Sequence, residues 1–115
     1  MLSAKKTEFF KHLLETRIAE VERTLRTAER DVRAMAVKHA DPADQAASEY
    51  ERQGLAHEMV TARQTLKGLK DALSALQQGR FGECADCGGE IEAKRLEAIP
   101  WARYCIACQE AREHH

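Results

Sequence analysis

Four cysteines carry most of the chemical potential of this chain. They stand in "GECADCGGE" and "RYCIACQE" as Cys84, Cys87, Cys105 and Cys108, two C-x2-C pairs separated by 17 residues. Two knuckles with that spacing can arrange four thiolates tetrahedrally around one zinc ion. Gly88 and Gly89 directly follow the second cysteine, where a tight turn brings backbone N–H groups towards sulfur. A redox dithiol is the rival reading, because a lone C-x-x-C can cycle between thiol and disulfide. It needs only one pair and expects a βαβ surrounding, and neither fits here. No histidine or carboxylate is placed to leave an open catalytic position, so the expected metal is one structural zinc. A module of about 35 residues has too small a core to fold unaided, and the metal should supply much of its stability.

The second candidate is "DPAD", with Asp41 and Asp44 around Pro42. Asp before Pro matches a helix N-cap followed by proline at the first helical position. Asp44 then falls at the third helical position, where a carboxylate favours the positive end of the helix dipole. Capping does not exclude a second role for these carboxylates, and Asp41 is the better suited of the two to capping.

Two long periodic segments must position these groups. Apolar residues recur at Phe10, Leu14, Ile18, Val21, Leu25, Ala28, Val32 and Met35, then at Leu55, Met59, Ala62, Leu66, Leu69, Leu73 and Leu76. The alternating steps of three and four are those of a coiled-coil seam. Val32 and Leu55, Ala28 and Met59, Leu25 and Ala62, Val21 and Leu66, Ile18 and Leu69, and Leu14 and Leu73 are each equidistant from a point between residues 43 and 44. Six such layers predict an antiparallel helical hairpin that turns inside "DPAD". Each arm, of roughly 35 residues, would run about 50 Å. The expected fold is mainly α: a long antiparallel coiled-coil hairpin over 1–79 with its tip at 40–47, then a four-cysteine zinc module and terminal helix over 80–115.

Composition agrees with this picture and excludes others. Of 115 residues, 32% are charged and only 5% aromatic, which argues against a thick globular core. A net charge of -1 argues against a broad DNA-binding face and direct sequence-specific DNA recognition. No apolar run reaches the ~20 residues that span a bilayer, so no membrane role is expected. "MLSAKKTEFFKHLLE" lacks the apolar core of a secretion signal. A cytoplasmic, reducing setting is expected, which disfavours structural disulfides.

"DPADQAA", "FGECADCGGEI", "KRLEAIPWARYC" and "CQEA" together resemble the DksA/TraR family of bacterial transcription regulators. The tip fits the family pattern D-x-x-D-x-A through Asp41, Asp44 and Ala46. The zinc module fits it through Ile91, Arg95, Leu96, Ala98, Pro100, Ala102 and the cysteines. The resemblance implies a non-enzymatic, monomeric protein that inserts its coiled-coil tip into the secondary channel of RNA polymerase and destabilises open complexes. Asp44 would be the principal effector, with Asp41 and Ala46 shaping the tip. Arg80, Lys94, Arg95 and Arg103 are candidates for contact with the polymerase rim, and Trp101 for packing within the module.

Two departures from the family carry expectations of their own. The longer members have a helical extension before the first arm, whereas this seam begins by about Phe10; Leu2, Phe9 and Leu13 are expected to cover part of the zinc module instead. Three positions where the resemblance implies basic residues for the alarmone ppGpp hold Gly68, Ile99 and Gln109, and only Arg95 keeps the character. Neutral side chains cannot make charge-assisted contacts to a polyphosphate, so ppGpp dependence should be weak or absent. The competing functions are a zinc-ribbon adaptor with the coil as spacer, a transcript-cleavage factor holding magnesium on the tip acids, and a dithiol oxidoreductase.

Overall fold

A computed structural model describes residues 2–35 and 42–114, the side chains of 42–44 excepted. Four helices follow in order: α1 (Ala4–Met35), α2 (Pro42–Gln77), α3 (Ala93–Ala98) and α4 (Ile106–Glu113). The fold is mainly α, an antiparallel coiled-coil hairpin followed by the four-cysteine module and a terminal helix. Among the described residues no strand forms, and the one β-bridge pairs Glu83 with Glu90.

The helices begin and end where local chemistry requires. Ser3 caps α1, its Oγ accepting the Lys6 N–H at 3.2 Å, which satisfies a donor that has no partner within the helix. α2 ends in a Schellman motif. Gly79 takes a φ of 75°, Arg80 N–H donates to the Ala75 carbonyl at 2.8 Å, and Gly79 N–H to the Leu76 carbonyl at 3.2 Å. A residue with a Cβ would be strained at that φ, so glycine stops the helix one residue before the module begins.

The chain forms two compact units, each taking a length of both long helices. One comprises Ala19–Leu66 and carries Ala28 and Ala62 as its buried residues, beside the half-buried Val21, Leu25, Val32, Leu55, Met59 and Leu66. All of these are seam positions. Small residues at the two most buried points allow close approach of the helices.

The other unit comprises Met1–Ile18 and Lys67–His115 and holds the larger core: Phe10, Leu14, Leu69, Leu76, Cys84, Ile91, Leu96 and Pro100. Leu14, Leu69 and Pro100 are the largest fully enclosed side chains. Phe10 packs on Phe81 with ring centroids 4.9 Å apart, tying α1 to the module. Phe9, expected to give that cover, is instead 53% exposed. Adjacent helical residues point about 100° apart, and the seam position Phe10 takes the inward direction. No described helix is long and apolar enough to cross a membrane.

Candidate metal centre

The first knuckle is a short backbone ladder closed by a turn. Ile91 N–H donates to the Gly82 carbonyl at 2.7 Å and Cys84 N–H to the Gly89 carbonyl at 2.8 Å. Gly88, at φ 73°, closes the turn and returns its own N–H to the Cys84 carbonyl at 3.0 Å. Gly89 N–H then reaches the Cys87 Sγ at 3.4 Å, as the double glycine suggested.

The second knuckle uses a helix start. Cys105 is the N-cap of α4, with extended backbone at φ -66° and ψ 166°, and Cys108 lies in the first turn. No side-chain hydrogen bond caps this helix. Ala85 N–H donates to the Arg103 carbonyl at 2.8 Å, a backbone bond that joins the two knuckles directly.

These elements bring the four Sγ atoms within 4.8 Å of one another, and the Cys87 and Cys105 sulfurs to 3.9 Å. A tetrahedral site with zinc–sulfur bonds of about 2.3 Å needs sulfurs roughly 3.8 Å apart. The donor set therefore fits one zinc ion after a slight contraction. All four positions are filled by protein sulfur, so bound zinc supplies a cross-link and no reactive site.

The acidities of the thiols reflect their crowding. Hydrogen bonding to the Cys87 backbone, helped by Cys105 and Asp86, holds Cys84 at about 6 against an ordinary 9.0, although burial opposes the shift. Cys108 is pushed up to about 12, first by its hydrogen bond to the Cys105 thiol, then by Cys84 and burial. A divalent cation relieves the cost of gathering thiolates, which is the usual coupling of metal binding to deprotonation.

An aromatic–arginine cluster braces the site. On α4, Arg112 pairs with Asp86 at 3.3 Å, donates to the Tyr104 hydroxyl at 2.8 Å, and stacks over the Tyr104 ring at 4.2 Å. Asp86 lies between the first pair of cysteines and Tyr104 immediately precedes the second. Arg112 was not singled out from the sequence. Its place four residues after Cys108, hence on the same helix face, was the available signal.

The other basic candidates divide. Arg95 is half-buried and its Nε donates to the Tyr104 carbonyl at 3.2 Å, a bond internal to the module. Lys94, Arg80 and Arg103 are exposed. Arg80 and Arg103 line one cleft with Trp101, while Arg80 also donates to the Gln78 side-chain carbonyl. Of the tip residues, Ala46 is exposed on α2, Asp41 lies outside the described residues, and so does the side chain of Asp44.

Comparison with known proteins gives a consistent picture. Residues 79–114 match the family described as prokaryotic dksA/traR C4-type zinc finger. The chain is similar to the RNA polymerase-binding transcription factor DksA of Salmonella typhimurium, at 36% identity over 74 residues, covering 64% of this chain and 49% of that protein. The protein of the same name from Buchnera aphidicola is 29% identical over 108 residues, 94% of this chain and 72% of the relative. The match thus spans about half the length of the Salmonella relative. The solved structure of transcription factor DksA2 from Pseudomonas aeruginosa superposes with a TM-score of 0.86 at 28% identity, covering 98% of this chain and 89% of that one.

Proposed function

From the premise that this chain is DksA-like, its residues 79–114 belonging to the DksA/TraR C4-type zinc-finger family, we propose that it binds bacterial RNA polymerase and regulates transcription initiation. The hairpin over 1–79 enters the secondary channel, and the module over 80–115 holds the protein at the channel mouth. Asp44 is the effector at the tip, with Asp41 and Ala46 shaping it. Arg80, Lys94 and Arg103 meet the rim; Arg95 contributes there only through whatever reach its bond to Tyr104 leaves. The observation that carries this reading is the likeness to DksA2 over 98% of the chain, which includes both the hairpin and the four-cysteine site.

The proposed mechanism contains no covalent step. A protein that binds polymerase states unequally shifts their populations, and a difference of about 1.4 kcal/mol changes such an equilibrium tenfold. The four cysteines act by cross-linking the module, with one zinc ion bound. The neutral Gly68, Ile99 and Gln109 leave ppGpp without the basic contacts it needs, so the protein acts with little dependence on the alarmone.

The test is transcription in vitro from a stable-RNA promoter with purified bacterial polymerase and no ppGpp. The zinc-loaded protein should inhibit, and Asp44→Asn, equally folded, should not. Equal inhibition by both would remove the tip acid from the mechanism. Absence of both inhibition and polymerase binding would overturn the reading, and cleavage of stalled transcripts would replace it with the nuclease-stimulating alternative.

A further inference from the structure

The two compact units differ in what holds each together. In the unit of Met1–Ile18 and Lys67–His115 the enclosed side chains are bulky, among them Phe10, Leu14, Leu69, Leu76, Ile91 and Leu96. In Ala19–Leu66 the buried side chains, among the described residues, are Ala28 and Ala62. Alanine removes far less apolar surface from water than leucine or phenylalanine does. The larger seam residues of that unit, Val21, Leu25, Leu55, Met59 and Leu66, are only half-buried. Tyr50 and Val60 are 82% and 50% exposed and contribute little to the seam. A groove of about 490 Å³ also runs along this unit, where Val21, Thr24, Gly54, His57, Thr61 and Thr65 leave the flank of the seam open. Gly54 weakens α2 further. Glycine costs a helix backbone entropy, and nothing lies within 4 Å of the Cβ it lacks, so no packing requires it. Gly68, in the other unit, is held to glycine by Trp101.

Helices in proteins draw most of their stability from a packed face rather than from propensity. Proteins open in cooperative pieces, and pieces with few buried apolar contacts open most readily. We propose that Ala19–Leu66, the unit containing Asp41 and Asp44, opens as a cooperative piece of its own while the metal-bearing unit stays folded. Ala28, Ala62 and Gly54 set its weakness. The four cysteines, Phe10 and Leu14 all belong to the other unit. The chain can therefore lose and regain the paired helices around Asp41 and Asp44 without releasing its metal. This device belongs to the free chain and does not depend on which partner it meets. A partner that grips only the paired helices selects the closed form.

The experiment is amide hydrogen exchange on the zinc-loaded full chain, under conditions where closing outpaces exchange, so that protection reports the opening equilibrium. Amides of 21–33 and 50–64 should be at least about tenfold less protected than those of 10–14 and 69–76, with zinc content unchanged. Two substitutions then test cooperativity. Gly54→Ala on α2 should raise protection about two- to fivefold, and Ala28→Gly on α1 should lower it by at least a similar factor. Each effect should extend over both arms of the unit and leave 69–76 unchanged. Equal protection in the two units overturns the proposal. So does an effect confined to amides within a turn of the substituted residue, which is local fraying of one helix and not the opening of a unit.

Discussion

Gly68 of α2 and Trp101 of the zinc module meet so closely that a Cβ on residue 68 would lie 3.2 Å from the Trp101 Cβ. The glycine, one of three neutral residues where basic ones were anticipated, therefore has a packing reason. Any side chain there would require Trp101 to give way by a few tenths of an ångström.

Gly68 and Gly54 predict opposite outcomes for one substitution. Both lie inside α2, where glycine costs about 1 kcal/mol relative to alanine. Nothing lies within 4 Å of a Cβ at Gly54. Gly54→Ala should raise stability by roughly 0.5–1 kcal/mol. Gly68→Ala should gain little or nothing, and Gly68→Lys should destabilise by about 1–3 kcal/mol as an overpacked contact. Denaturant unfolding of the three variants checks this; equal stabilisation at both sites would refute the Trp101 contact.

Zinc removal should act on part of the chain. A strong chelator is expected to unfold residues 80–114 while most far-UV helical signal remains, because the coiled-coil seams do not involve the metal. Amide exchange would localise the loss. Complete unfolding, or no change, would contradict a metal-dependent module on metal-independent helices.

The two shifted thiols set a pH dependence of defined sign. The Cys84 value is lowered, so its thiolate stabilises the fold fully above 9.0 and that contribution is lost as pH falls through about 6. The Cys108 value is raised, so its thiol contributes fully below 9.0 and is lost as pH rises through about 12. Zinc requires both as thiolates, and protons compete with it at each sulfur. Affinity measured against a chromophoric chelator should fall continuously on acidification and steepen as Cys84 is protonated near 6. An unchanged slope through that value would show that Cys84 does not take up its proton there.

Arg112 should matter more than an exposed arginine usually does. Its ion pair with Asp86 is half-exposed and worth little alone, but the same guanidinium also holds the Tyr104 hydroxyl and ring. Arg112→Ala should cost the module roughly 1–2 kcal/mol and hasten zinc release, and Arg112→Lys should recover only part of this. Release kinetics equal to wild type would make the cluster incidental.

Much of this molecule could be read from one dimension. Seam positions from Phe10 to Met35 and from Leu55 to Leu76 are all buried or half-buried, and the two C-x2-C pairs do converge. Helical period and knuckle spacing are short-range properties, written within a few residues of each other. The direction of individual contacts was not legible in the same way. The choice of Phe10 over Phe9 against Phe81, the closeness of Gly68 to Trp101, and the division of arginines between bracing and exposure all join residues distant in sequence. Periodicity states which face of a helix is apolar, but not what lies opposite. Only the fold of the knuckles against the ends of α1 and α2 decides that, because close packing admits a side chain solely where its neighbours leave room.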